Sequence, residues 1–152
     1  MTRLSDKSHW DHVHETASFT FQESLNRFPI FRFFALGFSN WEFFHLVKKH
    51  LTGKEVNTFE IGCAPGNYLV KFHQLFGLSP AGIEYSDAGI DVLKQNFAKN
   101  HIDAELIHGD FFDDSLIEKN KEKYDVVYSL GFIEHFDDPS DCIKRHFELA
   151  KK

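Results

Sequence analysis

Apolar positions change their spacing along the chain, and the changes mark out its elements. Around Val56, Phe59 and Ile61 they are β-branched or aromatic and lack a helical period, which predicts a short buried strand. From 67 to 76 the spacing becomes helical, with Leu69, Val70, Phe72, Leu75 and Phe76 expected inward and Gly77 as the stop. Residues 81–85 predict a second strand. Ser86 or Asp87 then caps a helix over about 88–100, with Ile90, Leu93 and Phe97 on one face. A third, weaker strand is expected over 104–108, closed by Gly109-Asp110, followed by a short polar helix over 116–122. The most apolar strand spans 124–130. Asp138 or Ser140 opens a last helix, with Cys142, Ile143, Phe147, Leu149 and Ala150 as its buried set. Strand and helix alternate, so the expected class is α/β, a parallel sheet with helices on both faces.

Residues 1–50 depart from this alternation. Nine of the eighteen phenylalanines fall there (Phe19, Phe21, Phe28, Phe31, Phe33, Phe34, Phe38, Phe43 and Phe44), with Trp10 and Trp41. Asn40 is placed to cap a helix through Leu51, with Phe43, Phe44, Val47 and Leu51 on its apolar face and Gly53 ending it. The aromatics of residues 19–38 have two readings. They cover one side of the sheet and a pocket rim, or they form a lid for an apolar ligand or a contact with a membrane surface. The resulting division is a helical, Phe-rich N-terminal extension or lid over 1–39 and a main domain over 40–152. His9, His12 and His14 match no metal-ligand spacing and read as solvated or satisfied side chains; no metal site is expected.

Composition narrows the class. The chain has 152 residues, enough for one domain, with 42% hydrophobic and 26% charged residues. A formal net charge of −6 without any lysine/arginine block gives a nucleic-acid partner no electrostatic support. Cys63 and Cys142 form no CxxC pair, the N-terminus has no apolar signal core, and no apolar run reaches membrane-spanning length. The expected location is cytoplasmic.

The chemistry concentrates in the stretch from Thr58 to Leu69. A strand runs into a turn bracketed by Gly62 and Gly66, with Pro65 just before a helix. Strand, glycine turn and helix are the arrangement by which Rossmann-like folds hold nucleotide-type ligands. A dinucleotide loop requires glycines where this chain has Ala64 and Asn67, and a P-loop requires Gly-Lys-Ser/Thr where it has Asn67-Tyr68-Leu69. Pro65 removes one further backbone donor. The loop is suited to close approach without gripping a pyrophosphate.

Glu60-x-Gly62-x-Ala64-x-Gly66 resembles motif I of class I S-adenosylmethionine-dependent methyltransferases, with Ala64 in place of the middle glycine. The resemblance covers roughly residues 40–152 and implies S-adenosylmethionine as cofactor and a small molecule as methyl acceptor. Glu60 would help hold the methionine amino group, and Gly62, Cys63, Ala64 and Gly66 would form the loop beside the cofactor. Glu84, about twenty residues past the loop, suits ribose hydroxyls, because a carboxylate accepts from two at once. Tyr85 follows it. Asp110 would accept from the adenine amine, with Phe111 packing on the ring. Ser129, Leu130, Gly131 and Phe132 would line the methionine end. Glu134 and His135 would face the acceptor or brace the loop, and His135 is the one candidate general base. Cys63 lacks a paired histidine and reads as a small packing residue.

The family's full sheet has seven strands. Here the resemblance implies only the first four, in the order 3-2-1-4, so the chain is expected to stop before the fifth. The fourth strand would then present an apolar edge open to self-association. Two alternatives remain: a non-catalytic or fragmentary S-adenosylmethionine-binding module, and an NAD-binding Rossmann domain.

Overall fold

The central strand, β1 (Asn57–Ile61), alternates its side chains between the two faces of the sheet. Phe59 and Ile61 enter one apolar cluster, while Thr58 and Glu60 go to the opposite face. The computed structural model describes residues 2–16, 42–49 and 56–152. Helical segments α1 (7–16) and α2 (42–49) come first. After β1 follow α3 (Asn67–Phe76), β2 (Ser79–Glu84), α4 (Asp87–Asn100) and β3 (Glu105–His108). Then come α5 (Asp114–Lys119), β4 (Val126–Ser129), a 3-10 turn (Ile133–His135) and α6 (Ser140–Leu149). The four strands are parallel in the order β3-β2-β1-β4, as expected.

Apolar clusters fill both faces. Phe59, Ile61, Ile83, Phe111, Ile117, Tyr124 and Leu149 pack under α5 and α6. Cys63, Leu69, Val70, Ile90, Leu93 and Phe97 pack under α3 and α4. Phe44 of α2, with Phe43 and Val47 beside it, closes the second face against Phe72 and Leu78. That is the apolar face expected of this helix. Its proposed cap Asn40, Leu51 and Gly53 lie outside the described residues, as do Trp41 and the phenylalanines between Phe19 and Phe38.

Several boundaries differ from expectation, each for a local reason. β2 begins at Ser79 and includes Pro80, because β3 joins it only from Ala81 onward and a missing N–H breaks no ladder there. Ser86 caps α4, its hydroxyl accepting from Gly89 N at 2.9 Å. α5 starts at Asp114 because Asp113 caps it, accepting from Ser115 N. Leu75 is 61% exposed, since it lies about 90° around α3 from the middle of the Leu69–Phe72 face. Ile143 and Phe147 are 45% and 73% exposed, while Cys142 and Leu149 are buried. The two exposed residues form a second stripe on α6, turned away from the sheet.

The fourth strand is shorter than expected, and the chain just before it, at Tyr124, is paired with the segment that follows α6. Tyr124 bridges Ala150 in parallel, Lys151 N donates to Tyr124 O at 2.8 Å, and Tyr124 N donates to Leu149 O at 3.2 Å. Among the described residues, no helix is long and apolar enough to cross a membrane.

Candidate functional site: a cavity at the strand ends

Ile61, Glu84, His108 and Ser129 end the four parallel strands at one rim of the sheet. A cavity opens just beyond them, where the strand order changes direction between β1 and β4. The strand-end loops supply Gly62, Ala64, Glu84, Tyr85, Asp110 and Phe111 to its wall. Leu130, Phe132, His135 and Phe136 continue the wall after β4, and Arg3, Ser5, Trp10 and His14 complete it from the N-terminus.

The glycine turn uses its donors internally. Gly62 N and Cys63 N both donate to Ile83 O, at 3.0 and 3.2 Å, and Ala64 N donates to Glu84 Oε2 at 3.2 Å. Three successive N–H groups are therefore committed to β2, and the turn offers no nest to a phosphate. Gly62 has φ +67°, and a Cβ there would sit 2.9 Å from the Phe132 ring. Gly66 (φ +82°) serves packing instead, since its Cβ would meet Leu93 and Phe97 of α4 at 2.6 and 2.8 Å.

Three carboxylates stand at this rim in different surroundings. Glu84 is buried and accepts from Ala64 N and from Ser86 N, the latter at 2.8 Å. Glu60 is equally buried, but its one hydrogen-bond donor among the described residues is the Tyr128 hydroxyl, across the β1–β4 pair, at 3.1 Å. Burial, and after it the negative charge of Glu84, pushes the Glu60 carboxyl up to about 8, against the smaller lowering effect of the Tyr128 bond. Asp110 is part-exposed; its Oδ1 accepts from Phe112 N at 2.9 Å and pairs with Arg3.

His135 lies in the cavity wall with Ser5 Oγ 3.3 Å from Nδ1 and the Trp10 ring at 4.6 Å, edge to face. Cys63 is 1% exposed, and burial pushes its thiol far up, as befits packing rather than nucleophilic work.

Of the residues singled out from the sequence, Gly62, Ala64, Glu84, Tyr85, Asp110, Phe111, Leu130 and His135 line the cavity. Glu60, Cys63, Gly66 and Ser129 do not. Glu60 lies behind the turn under Tyr128, and Cys63 fills the space over Gly82, where a Cβ would be 2.7 Å from its sulfur. Ser129 Oγ is 3.0 Å from His146 Nε2 of α6. His9 and His12 are exposed as expected, but His14 is half-buried in the cavity wall. Arg3, Ser5 and Trp10 carried no site signal in the sequence. The only local hint is the four-residue spacing of Trp10 and His14, which puts both on one helix face.

A family model described as a methyltransferase domain matches residues 59–152. A ubiquinone biosynthesis O-methyltransferase of Pseudomonas putida is 28% identical over 101 residues, covering 66% of this chain and 41% of that protein. The chain thus spans about two fifths of the length of the curated relatives it matches. A candidate S-adenosyl-L-methionine-dependent methyltransferase from Methanococcus maripaludis superposes with a TM-score of 0.65 at 15% identity, over 100% of this chain and 62% of that one. Phosphoethanolamine N-methyltransferase 2 of Haemonchus contortus, solved with phosphomonomethylethanolamine and S-adenosylhomocysteine, gives 0.56 at 20% identity, over 71% of this chain and 25% of that one. At such identities the structural likeness speaks for the fold. The family match covers well over half of the chain, and the sheet order agrees with it: the chain belongs to the class I S-adenosylmethionine-dependent methyltransferase domain family.

Proposed function

We propose that the domain holds S-adenosylmethionine at the strand ends and presents its methyl group to a small-molecule acceptor. The observation that carries this reading is the pair of carboxylates in the cavity wall, Glu84 at the end of β2 and Asp110 just past the end of β3, beside a glycine turn. The turn's N–H groups are already committed, which disfavours a dinucleotide pyrophosphate. Each Glu84 oxygen accepts one bond and keeps capacity for another, which suits two adjacent ribose hydroxyls. Glu60, buried with a phenol as partner, suits the ammonium of the methionine end, directly or through water. Asp110 would take the adenine amine, with Tyr85 and Phe111 beside the base. Backbone at Cys63, Gly66, Ser129 and Leu130 would shape the rest of the cofactor's surroundings.

When bound, the cofactor supplies an electrophilic methyl on a sulfonium. The chain's own contribution is then alignment of the acceptor with that methyl in a water-poor cavity. Of the two histidines among the described residues of this wall, His135 follows β4 and is assigned as the base: with Ser5 at Nδ1, Nε2 is left to take the acceptor's proton. The small-molecule class is supported by the relatives, one named for ubiquinone biosynthesis and one solved with phosphomonomethylethanolamine. The extension over 1–39, with its 2–16 segment at the cavity, would close the site of the 40–152 domain.

Calorimetric titration with S-adenosylmethionine, S-adenosylhomocysteine and NAD in parallel tests the reading. The first two are expected to bind and NAD is not, and Asp110→Ala should weaken binding about tenfold or more. Binding of NAD alone, or of nothing by a folded chain, overturns it.

A further inference from the structure

The segment before α1 crosses the cavity mouth and is tied down at both ends. Thr2 N donates to Asp137 Oδ1 at 2.7 Å, Leu4 N donates to His135 O at 2.9 Å, and Arg3 bridges Phe136 in antiparallel fashion. Further along, Lys7 pairs with Asp87 at 2.8 Å, and Asp11 accepts from Ser86 Oγ at 2.6 Å. Between these ties lies Arg3. Its guanidinium pairs with Asp110 Oδ1 and sits 4.8 Å from the Tyr85 ring centroid and 5.3 Å from that of Phe112.

A planar donor group lying against aromatic faces, with its N–H directed at a carboxylate, is the kind of occupant an adenine-type base would be. A guanidinium reproduces both features: it is flat and stacks on aromatic rings, and it donates a directional fork to oxygen anions. Asp110 and Tyr85 are the same side chains that the reading above assigns to the base. One group therefore stands where two ligands would compete.

We infer that Arg3 is a built-in competitor for the adenine subsite: the N-terminal strap holds the subsite closed, and the cofactor's base must displace Arg3 from Asp110 and Tyr85 to bind. This inference rests on the cofactor reading proposed above. The Arg3 tie is suited to reversal. Arg3 and Asp110 have side chains 29% and 37% exposed, so their pair is part-solvated and salt-sensitive. The strap's other anchors are multiple: Asp137 N also donates to Thr2 O at 3.3 Å, and Asp11 accepts from both Ser86 Oγ and Ala88 N, so it is the Arg3 side chain rather than the whole strap that has to move. A closed strap lowers the fraction of molecules competent to bind, and the apparent affinity falls by that fraction.

The test is calorimetric titration with S-adenosylhomocysteine on the full chain, comparing wild type, Arg3→Ala and Arg3→Lys. Hydrogen exchange at the Leu4 amide is followed in the same samples. Arg3→Ala is expected to bind about three- to tenfold more tightly, with faster exchange at Leu4 in the ligand-free protein. Arg3→Lys should fall between, since it keeps the charge and loses the planar fork. Raising salt from about 0.05 M to about 0.5 M should tighten binding to wild type more than to Arg3→Ala. Equal or weaker binding by Arg3→Ala, with wild type binding normally, overturns this inference and leaves the cofactor reading standing. Absence of binding in both variants, each folded by circular dichroism, overturns the two together.

Discussion

Glu60 and Glu84 sit one strand apart, at the same rim and at the same 5% exposure, yet the fold treats them differently. Glu84 receives two backbone N–H groups, one from the glycine turn and one from the N-cap of α4. It ties the loop to the strand and holds its own orientation. Glu60 faces the α3–α4 side and, among the described residues, receives a hydrogen bond from the Tyr128 phenol alone. Identical residue types at identical burial thus divide into a structural anchor and a buried acid poised near neutrality. The difference follows from which backbone groups lie within reach: β2 ends against a turn and a helix N-terminus, whereas Glu60 is flanked across the sheet by Gly82 and Tyr128.

The largest effect should come from removing the anchor. Glu84→Ala leaves the Ala64 and Ser86 N–H groups without acceptors, one of them fully buried. The expected cost is about 2–4 kcal/mol in urea unfolding and about a hundredfold in S-adenosylhomocysteine affinity. Unchanged stability would mean that the two N–H bonds do not anchor the loop. The buried acid should respond with the opposite sign. The Glu60 carboxyl titrates at about 8 in the folded chain and near the ordinary glutamate value when unfolded, so the native state keeps a proton that the unfolded state has lost. Wild type should therefore lose stability relative to Glu60→Gln as pH rises from about 4.5 to about 8, by at most about 1.4 kcal/mol per pH unit. Above and below that window the difference should be flat. Parallel urea titrations from pH 5 to pH 9 check it, and a constant difference between the two proteins would refute the buried acid. Affinity for a ligand carrying an ammonium should rise over the same window in wild type and not in the variant.

Much of this molecule is legible locally. The strand–helix alternation, the sheet order and the Gly62–Gly66 turn each follow from residues close together in sequence. Ser86 could be chosen over Asp87 as the α4 cap only once its bond to Gly89 N was seen. The second apolar stripe on α6 misled for a physical reason. Ile143 and Phe147 look like core residues, yet they lie at about 100–140° around the helix from Cys142, beyond the part that meets β4. The N-terminal wall of the cavity was illegible because its contacts are remote: Arg3 meets Asp110 across 107 positions, and no period in the chain encodes such a pair. The state of Glu60 was hidden in the same way, since it depends on a cross-strand partner in β4.

The smallest expected effect isolates that partner. Tyr128→Phe removes the hydroxyl that donates to Glu60 while keeping the ring that packs against Phe43 and Phe72. The core should stay filled, and the loss should be about 1 kcal/mol, the net value of a single hydrogen bond. The informative quantity is the midpoint of the pH window. Because the Tyr128 bond lowers the Glu60 value, its removal should move the upper end of the stability decline above about 8. Burial and the Glu84 charge contribute in the variant as they do in wild type, so the shift reports the hydroxyl alone. Urea titrations of Tyr128→Phe alongside Glu60→Gln and the double variant would show it. In the double variant the shift should vanish, because no carboxyl remains to sense the missing donor. A midpoint that stays in place or moves downward would mean that burial alone sets the Glu60 value, and that the contrast with Glu84 does not depend on hydrogen-bond donors.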